Sequence, residues 1–339
     1  MASLFASPSS GVAREFGYQS RRAWIALKKS AGLSARNDRT FYIDSFARAL
    51  RSGALPRTYG VLAIGKNDGA GSQAQAVMSA IAFAEAFGLE YVHRPFTSVE
   101  HAEGDPADWA RRCETHFNLG HGALQQADAE STRPVVPIET FMHAPGHWPA
   151  DTIVAAQHFL HFCNQDDAAW ERVAPRLRAC YRANKPARGE RPFSVALHMR
   201  RGDVTATNRK VARNFTPNAV FVRTLTAVRD AAERQGLQPR IQLFSQGREE
   251  MFADLSALGC ELHLDTPALE THAALVDADV LIMSRGGFSY TAGMLNGGIA
   301  LYDPEKYRPL RSWIARNADG SFDTVAFAAR LAALRMAPT

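Results

Sequence analysis

Between residues 193 and 302 five short apolar runs recur at helix-length intervals, and that rhythm restricts what the chain can fold into more than any other feature. The runs at 193–197, 241–245, 261–264, 280–283 and 298–302 have strand length and are rich in Val, Ile and Leu. Helix-period stretches at 217–235, 248–258, 267–276 and 288–295 separate them. Strands that are apolar on both sides and spaced by helices predict a doubly wound parallel sheet, because helices then cover both faces. The same alternation begins at Gly60. Residues 61–64, 89–92 and 135–138 read as strands. Residues 72–87 read as a helix with Ala76, Ala80, Phe83 and Phe87 on one stripe, and further helices are expected at 108–117, 151–163 and 168–183.

At 339 residues the chain has room for two such domains. The expected division is a basic N-terminal segment at 1–58, a first Rossmann-like domain at 59–184 and a second at 193–320. A helix at 321–339 is then expected to cross back onto the first domain. The connection at 184–192 is polar and broken by Pro186 and Pro192, which suits a linker.

No apolar run reaches the roughly 18–20 residues that span a bilayer, and no leader pattern opens the chain, so a cytoplasmic location is expected. Cys113, Cys163, Cys180 and Cys260 form no CxxC pair, which favours buried free thiols over disulfides or zinc. The net charge of +5 is uneven. Residues 1–60 hold ten Lys/Arg against three acids, so the rest of the chain is slightly acidic. Within that segment Ser20 Arg21 Arg22 Ala23 Trp24 Ile25 Ala26 Leu27 Lys28 Lys29 reads as a solvated surface helix. The alternative is peripheral contact with an anionic membrane, or help in holding a phosphorylated acceptor. Basic charge confined to one end, without interleaved aromatics, argues against nucleic acid.

The run at 193–197 leads directly into His198, Met199, Arg200, Arg201, Gly202 and Asp203. This places two arginines at the carboxyl end of a parallel strand, where open α/β sheets bind ligands. A guanidinium is a planar fork of donors matched to phosphate oxygens, so the pair can neutralise a diphosphate without a metal. An ordinary surface ion pair with Asp203 is the competing reading. Some 80 residues later, Ser284 Arg285 Gly286 Gly287 Phe288 Ser289 Tyr290 follows another strand, again as a turn into a helix. Gly69 Ala70 Gly71 Ser72 Gln73 precedes the first long helix, and glycines before a helix leave free amides for an anion. Asp277 Ala278 Asp279 spells a metal-binding DxD, but it stands where a helix hands over to a strand, so a structural role is preferred.

The His, any residue, Arg, Arg, any residue, Asp stretch resembles the first signature of the α1,2- and α1,6-fucosyltransferases and their bacterial Nod-factor relatives. The turn at 277–290 resembles that family's donor-binding strand, turn and helix, and the start at 69–75 resembles its glycine-rich N-terminal motif. The resemblance implies a GT-B-like fold, two Rossmann-like doubly wound domains facing a cleft, with the first domain for the acceptor and the second for the donor. It implies a metal-independent inverting glycosyltransferase that carries no permanent cofactor and takes fucose from GDP-fucose to a glycan or lipid-linked saccharide. Carried over, His198 lies by the nucleotide, Arg200 and Arg201 grip the diphosphate, and Ser284, Gly287 and Ser289 line the phosphate and ribose. Glu270 occupies the place of an acid that reads guanine or ribose.

The sequence departs from the family at three points. Residues 204–210 lack the carboxylate that follows the signature in the α1,6 enzymes, Gly286 and Gly287 replace a hydroxyl pair, and Gln246 stands for an acid. The catalytic base is left open among Asp203, Asp68, Glu103, Asp105 and His101. Two other readings stand beside the transferase. One is a sulfotransferase or another enzyme of a phosphorylated cofactor, and the other is a noncatalytic nucleotide- or glycan-binding protein.

Overall fold

In the computed structural model, which describes residues 36–66, 68–186, 189, 191–205, 207, 212–304 and 307–336, the short apolar runs pair into two wholly parallel sheets. The first sheet contains β1 (Gly60–Ala63), β2 (Glu90–His93), β3 (Leu124–Gln125), β4 (Val135–Pro137) and β5 (Ile153–Ala156), in the order β3-β2-β1-β5-β4. The second contains β6 (Ser194–His198), β7 (Arg240–Ser245), β8 (Glu261–Leu264), β9 (Val280–Ile282), β10 (Ile299–Tyr302) and β11 (Ile314–Ala315). Its order is β11-β10-β9-β6-β7-β8. Counted from β6, this is the Rossmann order 3-2-1-4-5-6, so the strand order reverses between β6 and β9. In the first sheet the chain moves outward from β1 through β2 to β3, then crosses to β4 at the far edge and returns inward to β5 beside β1. The expected pair of Rossmann-like α/β units is therefore present.

The principal helices are α1 (Arg36–Arg51), α2 (Ala70–Phe87), α3 (Pro106–Phe117), α4 (Ile138–His143), α5 (Leu160–Gln165) and α6 (Ala169–Arg182) in the first half. The second half adds α7 (Asn218–Arg234), α8 (Ala268–Asp277), α9 (Gly287–Leu295) and α10 (Thr324–Met336). No described helix is long and apolar enough to cross a membrane. All four cysteines are buried free thiols, and burial pushes those of Cys113 and Cys260 up to about 12.

Three expectations change. Residues 151–163 are not one helix: Ile153–Ala156 is an interior strand, hydrogen-bonded to β1 on one side and β4 on the other. A four-residue apolar run fits either state by pattern alone, and burial on both faces settles it as strand. The last helix does not cross back. Phe327 and Leu331 of α10 pack with Phe221, Leu225 and Val228 of α7 on the outer face of the second sheet. The basic N-terminal segment is also partly core, because α1 buries Phe41, Ile43, Phe46 and Leu50 in the first half. Residues 20–29 lie outside the described residues.

Strand alternation decides which face of the second sheet meets the first half. Val195, Leu197, Leu243, Val280 and Ile282 point toward α7 and α10. Ala196, Phe244, Leu281 and Ala300 point the other way, into one continuous apolar core with Phe46, Phe83 and Phe159 of the first half. The two units thus share a core across their seam. Within it the first turn of α2 lies directly on the first turn of α9: a Cβ added to Gly71 would stand 2.6 Å from Phe288 Cα. Since α2 follows β1 and α9 follows β9, the carboxyl edges of both sheets face this point.

Candidate anion site at the switch point of the second sheet

His198, the last residue of β6, stands at the second sheet's switch point beside the turn that follows β9. Its Nδ1 lies 2.5 Å from Ser289 Oγ and 2.8 Å from Ser284 Oγ, and the Ser284 amide donates to Ser289 Oγ at 3.2 Å. Burial, reinforced by Arg200 and Arg201, pushes this imidazole down to about 3, so it is neutral near pH 7. The two serines and the histidine therefore form a neutral, buried polar knot that fixes the turn from Ser284 to the start of α9.

That turn leaves the helix start open. Gly286 is the N-cap residue at φ 125°, with no side-chain cap, and Tyr290 is the first amide of the helix to bond back, to the Gly286 carbonyl. The amides of Gly287, Phe288 and Ser289 ahead of it have no intrahelical partner, and free donors of this kind at a helix start suit an anion. Arg200 supplies the charge: a Cβ on Gly286 would meet its Nη1 at 2.8 Å, so the guanidinium lies against the mouth of α9. Gly286 thus leaves room for Arg200, while Gly287 packs against Ser72 of α2. Across the seam, α2 begins at Gly69, also without a side-chain cap.

The predicted site residues divide. His198, Arg200, Ser284, Gly287 and Ser289 come together. Asp203 pairs with Arg200 through Nη2–Oδ2 at 2.7 Å, half-exposed, and holds the guanidinium in place. Gly202, at φ 73°, takes a left-handed turn that a side chain would strain, with the Gln246 side chain against it. Arg201 turns away: it is 5% exposed, donates to the Thr216 carbonyl at 2.9 Å and Asn218 Oδ1 at 2.8 Å, and lies over the Phe215 ring. It braces the loop rather than facing the mouth of α9. Glu270 is exposed on the first turn of α8, while its neighbours Thr271 and His272 are buried.

The first-half acids proposed as bases are each engaged by backbone amides. Asp105 caps α3, Asp68 accepts the Gly69 amide, and Glu103 Oε1 accepts the Ala268 amide at 2.7 Å, capping α8 from across the seam. His101 is exposed at φ 57°.

Several residues were not found by sequence reasoning. Asp303 follows β10 with its side chain 6% exposed, bonded to Arg316 at 2.8 Å and to Thr216, with Arg285 nearby. It anchors the loop behind Ser284, at the edge of a small pocket that also involves Gly286, Tyr290 and Trp313. A larger pocket of about 400 Å³, lined by Asn164, Asp167, Arg308 and Arg311, meets the first only at Tyr307 and lies off the arginine site. At the seam, His116 Nε2 lies 3.0 Å from His272 Nδ1, and His272 Nε2 lies 3.2 Å from Thr291 Oγ1. Thr291 donates to the Gly287 carbonyl, which makes its oxygen the acceptor from His272 and ties α3 and α8 to the first turn of α9.

The DxD tripeptide is structural. Arg191 holds both oxygens of Asp279 at 2.7 Å, the Ser194 amide donates to the same carboxylate, and Asp277 pairs with Arg182. Asp279→Ala is expected to lower stability by about 1–3 kcal/mol, by stranding a bidentate arginine. Nucleotide affinity, measured by calorimetry with and without Mn²⁺, is expected to stay as in the wild type. A metal-dependent loss of affinity would restore the metal-binding reading.

No protein-family model matches the chain, and no curated protein matches it significantly. Among solved structures it is similar to the α-1,6-fucosyltransferase NodZ co-crystallized with GDP, at 12% identity over 79% of this chain and 97% of that one, TM-score 0.38. It is similar to POFUT1 in complex with GDP-fucose at 11% identity, 77% and 98% coverage and TM-score 0.35. It is also similar to the E. coli heptosyltransferase WaaC with ADP at 12% identity, 82% and 100% coverage and TM-score 0.38. At such values the function has to be argued from the chain's own residues.

Proposed function

We propose that the protein is a metal-independent inverting glycosyltransferase that draws its sugar from a nucleotide diphosphate donor, GDP-fucose being the first candidate, and passes it to a glycan or lipid-linked saccharide. One observation carries the reading. Arg200 lies on Gly286 at the uncapped start of α9, beside the neutral His198–Ser284–Ser289 knot, at the switch point of a Rossmann-ordered sheet. Breaking a sugar–phosphate bond leaves negative charge on the departing diphosphate. A fixed guanidinium and the amides of a helix start stabilise that charge without a metal. Arg201 supports this arrangement by holding the Thr216 loop, and Asp203 by orienting Arg200. Glu270 remains the candidate for reading the base or ribose.

GDP without divalent metal is expected to stabilise the protein by roughly 2.7 kcal/mol at about 100 times its Kd. Arg200→Ala is expected to abolish this. Release of labelled fucose from GDP-fucose separates an enzyme from a binder. Stabilisation by adenosine 3′,5′-bisphosphate in place of GDP would move the protein to the sulfotransferases.

A further inference from the structure

The larger pocket, of about 400 Å³, has walls from both halves: Asn164 and Asp167 from the first, and Tyr307, Arg308, Pro309 and Arg311 from the chain that follows β10. Its size falls within the range of small-ligand sites, roughly 300–1,000 Å³. It adjoins the arginine site through shared walls. Tyr307 also lines the small pocket whose wall includes Ser284 and Gly286, and Arg200 lies against Gly286. Helix α9 makes the same connection. Tyr290, on its first turn, donates its hydroxyl to the Arg308 carbonyl and sets its ring 5.1 Å from that of Tyr307. One helical turn, about 5 Å, thus separates the free amides of α9 from the residue that holds the wall of the larger pocket.

The polar side chains of this pocket are fixed in place yet keep donors to spare. Asn164 Oδ1 accepts the Arg308 amide at 3.1 Å, which identifies Nδ2 as the group left over. Arg308 Nε donates to the Asn164 carbonyl at 3.1 Å and Nη1 pairs with Asp167, which leaves Nη2. Arg311 is held through its main chain, its amide on the Glu171 carboxylate and its carbonyl under the Arg330 guanidinium at 3.4 Å. Its own guanidinium is exposed and has no hydrogen bond or ion pair among the described residues. The lining therefore carries two guanidiniums against one carboxylate, beside an aromatic ring and a proline. An apolar ligand would strand these donors, and a neutral one would leave the charge unmatched.

We propose that this pocket is the subsite for a negatively charged group, a carboxylate or a phosphate, on the acceptor saccharide, an inference that rests on the transferase reading above. The anionic group accepts from the Arg311 guanidinium, Asn164 Nδ2 and Arg308 Nη2, and the sugar ring lies against Tyr307 and Pro309. The ion pair with Asp167 holds Arg308 ready, so little ordering is left to the ligand.

The test titrates the full chain by calorimetry in saturating GDP, which fills the arginine site first. The probes are trigalacturonate against neutral galactotriose, and glucose 6-phosphate against glucose. One of the charged sugars is expected to bind at least about 10-fold more tightly than its neutral counterpart, and which one does so identifies the group as carboxylate or phosphate. Arg311→Ser is expected to remove that preference and Arg311→Lys, which keeps the charge, to retain part of it. Both are expected to melt as the wild type does, because the guanidinium is exposed. No binding, equal affinity for charged and neutral sugars, or a preference that survives Arg311→Ser overturns the subsite and leaves the transferase reading standing. A wild type that does not bind GDP overturns the transferase reading, and the acceptor role of this pocket with it.

Discussion

Gly71→Ala is expected to destabilise the protein and weaken GDP binding together, although alanine is the better helix former by nearly 1 kcal/mol. The added methyl would stand 2.6 Å from Phe288 Cα, 2.7 Å from Phe288 N and 2.9 Å from Gly287 C. All three are backbone atoms, so no rotamer change relieves the clash and one helix has to move off the other. Overpacking of this kind costs about 1–3 kcal/mol, and here the displaced element is the first turn of α9. Gly69→Ala is the control: its Cβ would find only His101 Cδ2, at 3.5 Å, an ordinary contact. Paired melts and GDP titrations of the two variants decide the matter, and a Gly71→Ala protein with wild-type melting and affinity would sink the claim that this contact shapes the site.

The same contact bears on how the two halves work together. Their seam is a continuous apolar core that reaches from Phe46 and Phe83 to Tyr290 and Trp313. It is reinforced by Arg308 on Asn164 and Asp167, Arg178 on the Met294 carbonyl, and Glu103 on α8. A large apolar interface holds domains in one relative position.

How much of this was legible in the sequence depends on which physical signal each element left. In the second half, β6, β7, β8, β9 and β10 fall on the five apolar runs, because strands buried on both faces leave uninterrupted Val, Ile and Leu between turn residues. The arginine motif was legible for the same reason, as its place at a strand end follows from the strand. In the first half, Ile153–Ala156 carries the same kind of signal but merges with the apolar stretch of α5, and the two read together as one helix. That merger concealed β5, the strand that pairs with β1 in the middle of the first sheet. The inward turn of Arg201 left no sequence signal at all, because Thr216 and Asn218 come to it through the fold. The capping of α8 by Glu103 joins residues 165 positions apart, which no local pattern reveals.

Stability is expected to fall steeply as pH drops from 7 to 4.5, because four histidines are buried in neutral form. His116 and His158 are pushed down to about 4 and His198 to about 3, and His272 is lowered well below its ordinary value, with burial the first cause in each. The unfolded chain takes up protons near pH 6.5, whereas the folded chain refuses them until pH 4 or lower. Between those limits the unfolded state binds more protons, so stability declines with falling pH. Each such histidine contributes up to about 1.4 kcal/mol per pH unit in that window, and partial exposure and relaxation reduce the sum to several kcal/mol. Asp166, Glu261 and Asp319 are lowered in the folded state, so the stability they contribute is lost only as the pH falls through about 5 and below, and the decline from pH 6.5 to 5 belongs to the histidines. The pair His116–His272 joins α3 to α8 and α9, so its protonation also pries at the seam. Denaturant midpoints at pH 7.0, 5.5 and 4.5 measure the slope, and the double variant His116→Gln, His272→Gln is expected to roughly halve it. A midpoint that stays level across that range would mean that the seam histidines are not held neutral, and that the first turn of α9 is not fixed through them.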